Sequence, residues 1–412
     1  MDFNRYRDVL AERVGRLALP FDDDEYARRR AQVSAAMVSA QLDALLVTDA
    51  ADICYLTGYN TFEVSVHIAL LISQPGSANE HALLQVPSIE TGPAVTTARV
   101  DEVVGYRWEA TNGAVEQMTQ RLVDLGLGGH SNTPDSAPRL GTDNWGPALR
   151  SGYRDALAAA LPNMALIDAS GLVDAVKIVK SEPEIAMLRH SAEITEAGIA
   201  SAESLIAPGM TDQQLAASGA AALIAAGSEF MSLQPIVTTG WRSSVIHCNH
   251  QRHRVADGDP VFLEFGSAWH RYTAPMMRTR VAGKPSDEMQ RVAEVIRDIY
   301  AALLEHMRPG VPIDQAAAAA DKALAPVADR AFFSGVYGYT VGIQFPPSWV
   351  EGSGYIARGV EQPFAHNMVF HLPLMLRIPG EWGIGMSNTV RVTADGGEAL
   401  SGNDLMLRGS SD

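Results

Sequence analysis

Through the first 170 residues, short apolar runs alternate with stretches of helical periodicity. Residues 42–48 (LDALLVT), 67–73 (HIALLIS) and 81–86 (HALLQV) are closed off by Gly, Pro, Asn or Ser, so they read as buried strands. Residues 31–41 (AQVSAAMVSAQ) and segments around 114–127 and 147–160 read as helices, with strands near 138–141 and 164–168 between them. Pro147 is expected in the first helical turn, where a missing N–H costs nothing. This alternation predicts a small α/β domain over residues 1–172.

The pattern then changes. Ser181 is placed to cap a long helix, with Pro183 and two glutamates in the first turn and Ile185, Leu188, Ala192, Ile194 and Ala197 on the apolar face. Pro208-Gly209 stops it near residue 206, and Thr211 caps the next helix. From Pro260 onward, β-type segments (VFLEFGSAW, MMRTRVAG, MVFHLPLML, SNTVRVTA) flank helices over 286–307 and 313–328. This predicts one larger α+β domain over residues 173–412. No repeat of about 20–50 residues is visible.

Composition narrows the partners. The 412 residues are 47% hydrophobic and 19% charged, an ordinary globular profile. A net charge of −16 repels nucleic acid and anionic membrane surfaces and favours a small polar ligand that is zwitterionic or cationic. Two cysteines, an opening segment without a signal-peptide core and no long uncharged apolar run predict a cytoplasmic protein that spans no membrane.

Candidate chemistry concentrates in residues 245–278 (VIHCNHQRHRVADGDPVFLEFGSAWHRYTAPMMR). Glu264 is a lone carboxylate in an apolar run, a position that costs several kcal/mol unless the group is paired or hydrogen-bonded. His247 lies upstream across a polar loop. Paired with a carboxylate, an imidazole becomes a capable proton shuttle near neutral pH. A histidine-rich surface loop beside one satisfied buried glutamate fits the same residues.

Several ordered segments resemble the M24 family of creatinase, aminopeptidase P, prolidase and methionine aminopeptidase. They are KIVKSEPEIAMLR, IAPGMT, the spacing from His247 to Gly258-Asp259, VFLEFGSAWHRYTAPMMRT, GYTVGIQFPPSW and GIGMSNTVRVTADGGEAL. The resemblance covers essentially the whole chain. It implies an α/β N-terminal domain followed by an α+β pita-bread (creatinase/aminopeptidase) C-terminal domain. It also implies a homodimer in which the partner's N-terminal domain closes the pocket, with residues 59–67, His67 included, reaching the other subunit's site.

The departures from that family are chemical. A dinuclear site would need two aspartates, a histidine and two glutamates. By register those positions are Glu264, Pro275, Tyr339, Pro373 and Ser387, so only one keeps a carboxylate. No metal or other cofactor is therefore expected. A glutamate in place of the first aspartate is similar to the metal-free creatinase and ectoine hydrolase branch, which implies His247 as general acid/base and Glu264 as its partner and substrate anchor. Even there the match is partial. Asn388 stands where the ectoine-type pattern carries a second acid, and residues 59–68 (YNTFEVSVHI) offer no arginine where creatinase has one.

Further candidates for substrate contact are Tyr339, His371, Glu351, Arg278, Tyr272 and His67. Each also admits a structural role: Tyr339 as a buried tyrosine, Arg278 as the partner of a buried acid. His250, His253 and His270 read as loop residues. Cys248, adjacent to His247, would point to the opposite face of an extended chain, which argues against thiol catalysis. The expected activity is metal-independent hydrolysis of a C–N bond in an amidine, guanidine or cyclic amide. A degenerate binding protein, a lyase using the same histidine and a metal-dependent Xaa-Pro peptidase are the rivals.

Overall fold

The computed structural model describes residues 1–73, 81–128, 137–402 and 404–410. The chain divides into two compact units, residues 1–176 and 177–412. Among the described residues, no helix is long and apolar enough to cross a membrane.

In chain order the first unit contains α1 (Phe3–Arg13), α2 (Asp23–Ser39), β1 (Ala44–Val47), α3 (Ala50–Thr57), β2 (Ala69–Ser73), β3 (Ala82–Pro87), α4 (Thr91–Thr97), β4 (Glu102–Tyr106), α5 (Asn112–Asp124), β5 (Arg139–Thr142), α6 (Ser151–Ala160) and β6 (Ala165–Asp168). The strands form one sheet in the order β4-β3-β2-β1-β5-β6. Strand β2 is antiparallel to both β1 and β3, and the outer pairings are parallel. One sheet face packs Leu46, Leu71, Leu83 and Leu140 against Met118, Leu122, Tyr153 and Leu157 of α5 and α6. The apolar runs thus became strands as expected. Pro147 did not enter the first turn of α6. It sits in a turn before the helix, which starts at Ser151 with Arg150 as its N-cap.

Helix α7 (Leu172–Lys177) carries the boundary. The second unit continues with α8 (Glu182–Glu203), α9 (Asp212–Ala225), β7 (Ile236–Thr239), β8 (Pro260–Phe265), β9 (Ala268–Trp269), β10 (Tyr272–Thr273), β11 (Met276–Val281), α10 (Asp287–His306), α11 (Ile313–Leu324), β12 (Gly338–Thr340), β13 (Tyr355–Ile356), β14 (Val369–His371), β15 (Leu374–Ile378), β16 (Trp382–Met386), β17 (Thr389–Thr393), β18 (Gly396–Ala399) and β19 (Arg408–Gly409). Both expected caps are present as full capping boxes, Ser181 with Glu184 and Thr211 with Gln214.

Two similar layers result. Helices α8 and α9 cover the sheet β19-β11-β8-β7, burying Ile194, Leu215 and Leu223 against Val261, Leu263 and Phe265. Helices α10 and α11 cover the sheet β13-β12-β14-β17-β18, burying Ile296, Ile299 and Leu303 with Phe370 and Val390. The hairpin β15-β16 lies across β8, where Met375 meets Phe262 and Met277. Gly385 makes that approach feasible, because a Cβ there would lie 2.5 Å from both Met375 Sδ and a Phe262 ring carbon. This crossing defines the interior that holds the site.

Candidate active site

Strand β8 alternates its side chains, so Val261, Leu263 and Phe265 enter the α8/α9 core while Phe262 and Glu264 face the hairpin. Glu264 pairs in register with Ile236 on β7 and Met277 on β11. It is 8% exposed, and among the described residues it makes no hydrogen bond or ion pair. Burial pushes its carboxyl up to about 8, opposed only by the Arg377 guanidinium. Arg377 stands on β15 opposite Gly383, with its Nε buried and without a hydrogen-bond partner. Its own acidity is increased by burial, with Glu264 as the favourable charge. A carboxyl and a guanidinium thus sense each other across a gap wider than an ion pair.

Beside them runs a chain of hydrogen bonds. The Trp349 indole N–H donates to the Tyr339 hydroxyl oxygen at 2.8 Å. His371 Nδ1 lies 2.8 Å from that hydroxyl, and its Nε2 lies 2.5 Å from Ser387 Oγ. Ser387 Oγ also accepts from the Met277 backbone N–H at 2.7 Å. Tyr339 and His371 are register partners on β12 and β14, so the sheet itself sets their separation.

Burial holds His371 down to about 3, which keeps the imidazole neutral with one ring proton. The proton's position follows from satisfiability. With the proton on Nε2, the hydroxyl hydrogen of fully buried Ser387 has no acceptor. With it on Nδ1, Ser387 donates to Nε2 and His371 donates to Tyr339. The tyrosine oxygen then accepts from both Trp349 and His371, and its own O–H is left free to donate. The second arrangement satisfies the buried end and leaves the spare donor on Tyr339, which is partly exposed. Burial and the Glu264 charge raise the tyrosine well above its ordinary range, so it stays protonated.

The other sequence candidates separate cleanly. Arg278 gives its guanidinium to the carbonyls of Met277, Ser387 and Gly402 and to Asn388 Oδ1. It is a structural cation rather than a substrate contact. Asn388, at the position of the lost acid, also donates to the Tyr300 hydroxyl. Tyr272 is fully buried and donates to Glu184 Oε1 in the α8 capping box, which removes it from the site. Glu351 is paired through Oε2 with Lys180 at 2.8 Å, both side chains almost wholly buried, and its Oε1 is buried without a hydrogen bond. His67 is 5% exposed and lines a cavity of its own N-terminal domain. The exposed apolar residues of its loop are Phe62 and Val64.

His247 sits in an exposed turn with φ of 53°, so the local chain is not extended as the Cys248 argument assumed. Among the described residues it forms no hydrogen bond or ion pair with Glu264 or any other group. The direct pairing expected from sequence is not present. Arg377, Trp349 and Ser387 are the site residues not singled out as candidates. Arg377 had a visible signal, being the lone charge in the apolar run LPLMLRIP, as Glu264 is in VFLEF.

Residues 186–394 match the pattern of metallopeptidase family M24, and residues 29–179 that of the creatinase/prolidase N-terminal domain. The chain belongs to family M24. An uncharacterised hydrolase/peptidase of Sinorhizobium fredii is 29% identical over 94% of this chain and 97% of that protein. Ectoine hydrolase of Halomonas elongata is 24% identical over 93% of this chain and 97% of its own length. Dipeptidase PepE of Mycobacterium ulcerans superposes with a TM-score of 0.77 at 25% identity, covering 95% of this chain and 99% of that one. The pita-bread fold expected from sequence is thus the fold of its relatives.

The family name implies metal, and the residues here do not fit it. Of the five positions the resemblance assigns to ligands, Pro275 and Pro373 carry no donor side chain. Tyr339 and Ser387 are committed to His371. Only Glu264 offers a hard anionic oxygen, and among the described residues no group of three or more His, Cys, Asp or Glu is placed to hold an ion.

Proposed function

We propose that this M24 member hydrolyses a C–N bond of a small zwitterion, an amidine, guanidine or cyclic amide, without a metal. The observation that carries the reading is the opposed pair Glu264 and Arg377, a buried carboxyl and a half-buried guanidinium neither of which is ion-paired. A ligand bearing both charges supplies each with its missing partner. Its amidinium favours the ionised form of Glu264, whose proton is released to solvent on binding, and its carboxylate meets Arg377.

Water then adds to the amidine carbon, forming a C–O bond. The free O–H of Tyr339 donates to the polar atom on that carbon as charge redistributes. His247 takes the water proton and returns one to the leaving nitrogen as the C–N bond breaks. That role requires the 245–249 turn to bring His247 inward on binding. The turn is exposed and carries the left-handed residue, which suits it to move.

Cleavage of a dipeptide is a second reading, favoured by the whole-length likeness to a dipeptidase. It too breaks a C–N bond, but its substrate carries an ammonium and an uncharged amide. NMR-monitored turnover of ectoine, creatine, cyclic amides and a Xaa-Pro dipeptide separates the two. Conversion of an amidine, guanidine or cyclic amide supports the first, and conversion of the dipeptide alone selects the second. In His247→Ala the turnover should vanish; wild-type turnover in that variant would end the histidine-based mechanism.

A further inference from the structure

The N-terminal domain contains a cavity of about 290 Å3, lined by His67, Tyr106, Thr111, Asn112, Arg150 and Tyr153 together with small apolar residues of α5 and α6. Cavities that hold organic ligands run from roughly 300 to 1,000 Å3, so this one suits a small molecule. It lies wholly within residues 1–176 and shares no residue with the Glu264 site.

Three features give it one electrostatic sense. Helices α5 and α6 both begin at its rim, and neither N-cap, Thr111 or Arg150, makes a side-chain capping bond. Of their first-turn N–H groups, those of Gly113, Ala114 and Tyr153 donate to backbone carbonyls, and the helix ends present partial positive charge to the rim. Arg150 adds a full charge at the mouth, where it donates to the Ser65 carbonyl. Inside, His67 is 5% exposed, and both ring nitrogens are buried without a hydrogen bond. The nearby Gln85 side chain, whose NH2 donates to Ala114 O and Gln117 Oε1 and whose Oε1 accepts from the Tyr153 hydroxyl at 3.4 Å, stands beside the imidazole and opposes the effect of burial on it.

The walls give the rest of the ligand its character. Tyr153 lies against His67 with ring centroids 4.1 Å apart and planes tilted by 36°, and Tyr106 turns its hydroxyl away to the His67 carbonyl. Val115, Ala114 and Ala156 complete an apolar lining. Burial and the Arg150 charge hold the His67 imidazole down to about 4, leaving it a neutral donor. One full cation beside two helix ends matches a single negative charge rather than two.

We infer that this cavity is a second binding site, which takes a small organic monocarboxylate with a flat or aliphatic body. The carboxylate sits between Arg150 and the two helix N-termini, the body lies against Tyr106 and Tyr153, and the His67 N–H completes the polar contacts.

The test is titration calorimetry of the full chain with benzoate, 3-phenylpropionate and hexanoate, with benzamide and inorganic phosphate as controls. At least one acid should bind at one equivalent per chain and shift the His67 imidazole NMR signals, with both controls about tenfold weaker or more. Arg150→Met should weaken that acid about tenfold at an unchanged melting temperature, and Ala156→Phe should abolish binding by filling the cavity. Glu264→Gln should leave it unchanged. The inference is overturned if no acid binds at about 10 mM, if Arg150→Met has no effect, or if phosphate binds as tightly. Loss of binding in Glu264→Gln would assign the ligand to the other domain's site instead.

Discussion

Glu264 and Glu351 are both buried glutamates of the C-terminal domain, and the protein treats them in opposite ways. Glu351 has Lys180 at 2.8 Å and Ser353 donating to the same oxygen, with the side chains of the ion pair 0% and 1% exposed. Glu264 has neither, only a distant guanidinium whose Nε is itself unsatisfied. A buried charge that carries its own counter-charge stabilises the architecture or is neutral to it. One left without a partner is a standing free-energy cost that a ligand can relieve. The same residue type in one domain thus marks a structural joint in one place and the proposed binding site in the other.

That contrast can be broken from either side. The largest effect should come from Lys180→Met, which leaves Glu351 buried and uncompensated. Urea unfolding should show a loss of about 3–5 kcal/mol, most of it recovered in Lys180→Met/Glu351→Leu. A loss below about 1 kcal/mol would mean that the pair is not the joint described here.

Glu264→Gln should do the reverse. Turnover should fall about 10²–10⁴-fold, while stability near pH 8 is kept or improved. The sign follows from linkage. The folded chain holds the Glu264 proton up to about 8, whereas an ordinary glutamate releases it near 4.5. Between those values the unfolded chain has released a proton that the folded chain retains, so wild-type stability falls as pH rises. Glutamine has no proton to lose, so its melting temperature should gain on wild type from pH 5 to pH 8. A constant difference across that range would place Glu264 in an ionised, satisfied environment and remove the contrast.

Tyr339→Phe sharpens the comparison at smaller scale. It deletes the one donor that the arrangement leaves free and also the acceptor of the buried Trp349 and His371 N–H groups, so kcat should fall about tenfold and urea unfolding should show a loss of about 1–3 kcal/mol. The same loss of stability with an unchanged kcat would make the hydroxyl a structural link alone.

How much of this was legible in the sequence depended on whether the signal was local. The caps Ser181 and Thr211 and the strands of the N-terminal sheet were legible because their partners lie within a few residues. Glu264 was legible as a charge in an apolar run. Its environment was not, because Arg377 arrives from a hairpin more than a hundred residues downstream. Glu351 looked like a pocket residue for the same reason: Lys180 is 171 positions away. The partners of Arg278 and Tyr272 were not legible, because a buried polar side chain gives no sequence sign of whether its hydrogen bonds end on backbone carbonyls or a helix cap. The loss of metal-ligand chemistry at Pro275, Tyr339, Pro373 and Ser387 needed only the family register. That Tyr339 and Ser387 would be joined through His371 needed the sheet pairing.

The central claim is that the site works through Glu264 and its surroundings rather than through metal ions. The most direct test is the turnover rate of the full chain on its converted substrate, after dialysis against EDTA and again after adding Mn²⁺, Zn²⁺ or Co²⁺, with metal content measured on the same samples. One unchanged rate throughout and far less than one bound ion per chain are expected. Activity that disappears with EDTA and returns with metal would contradict the claim.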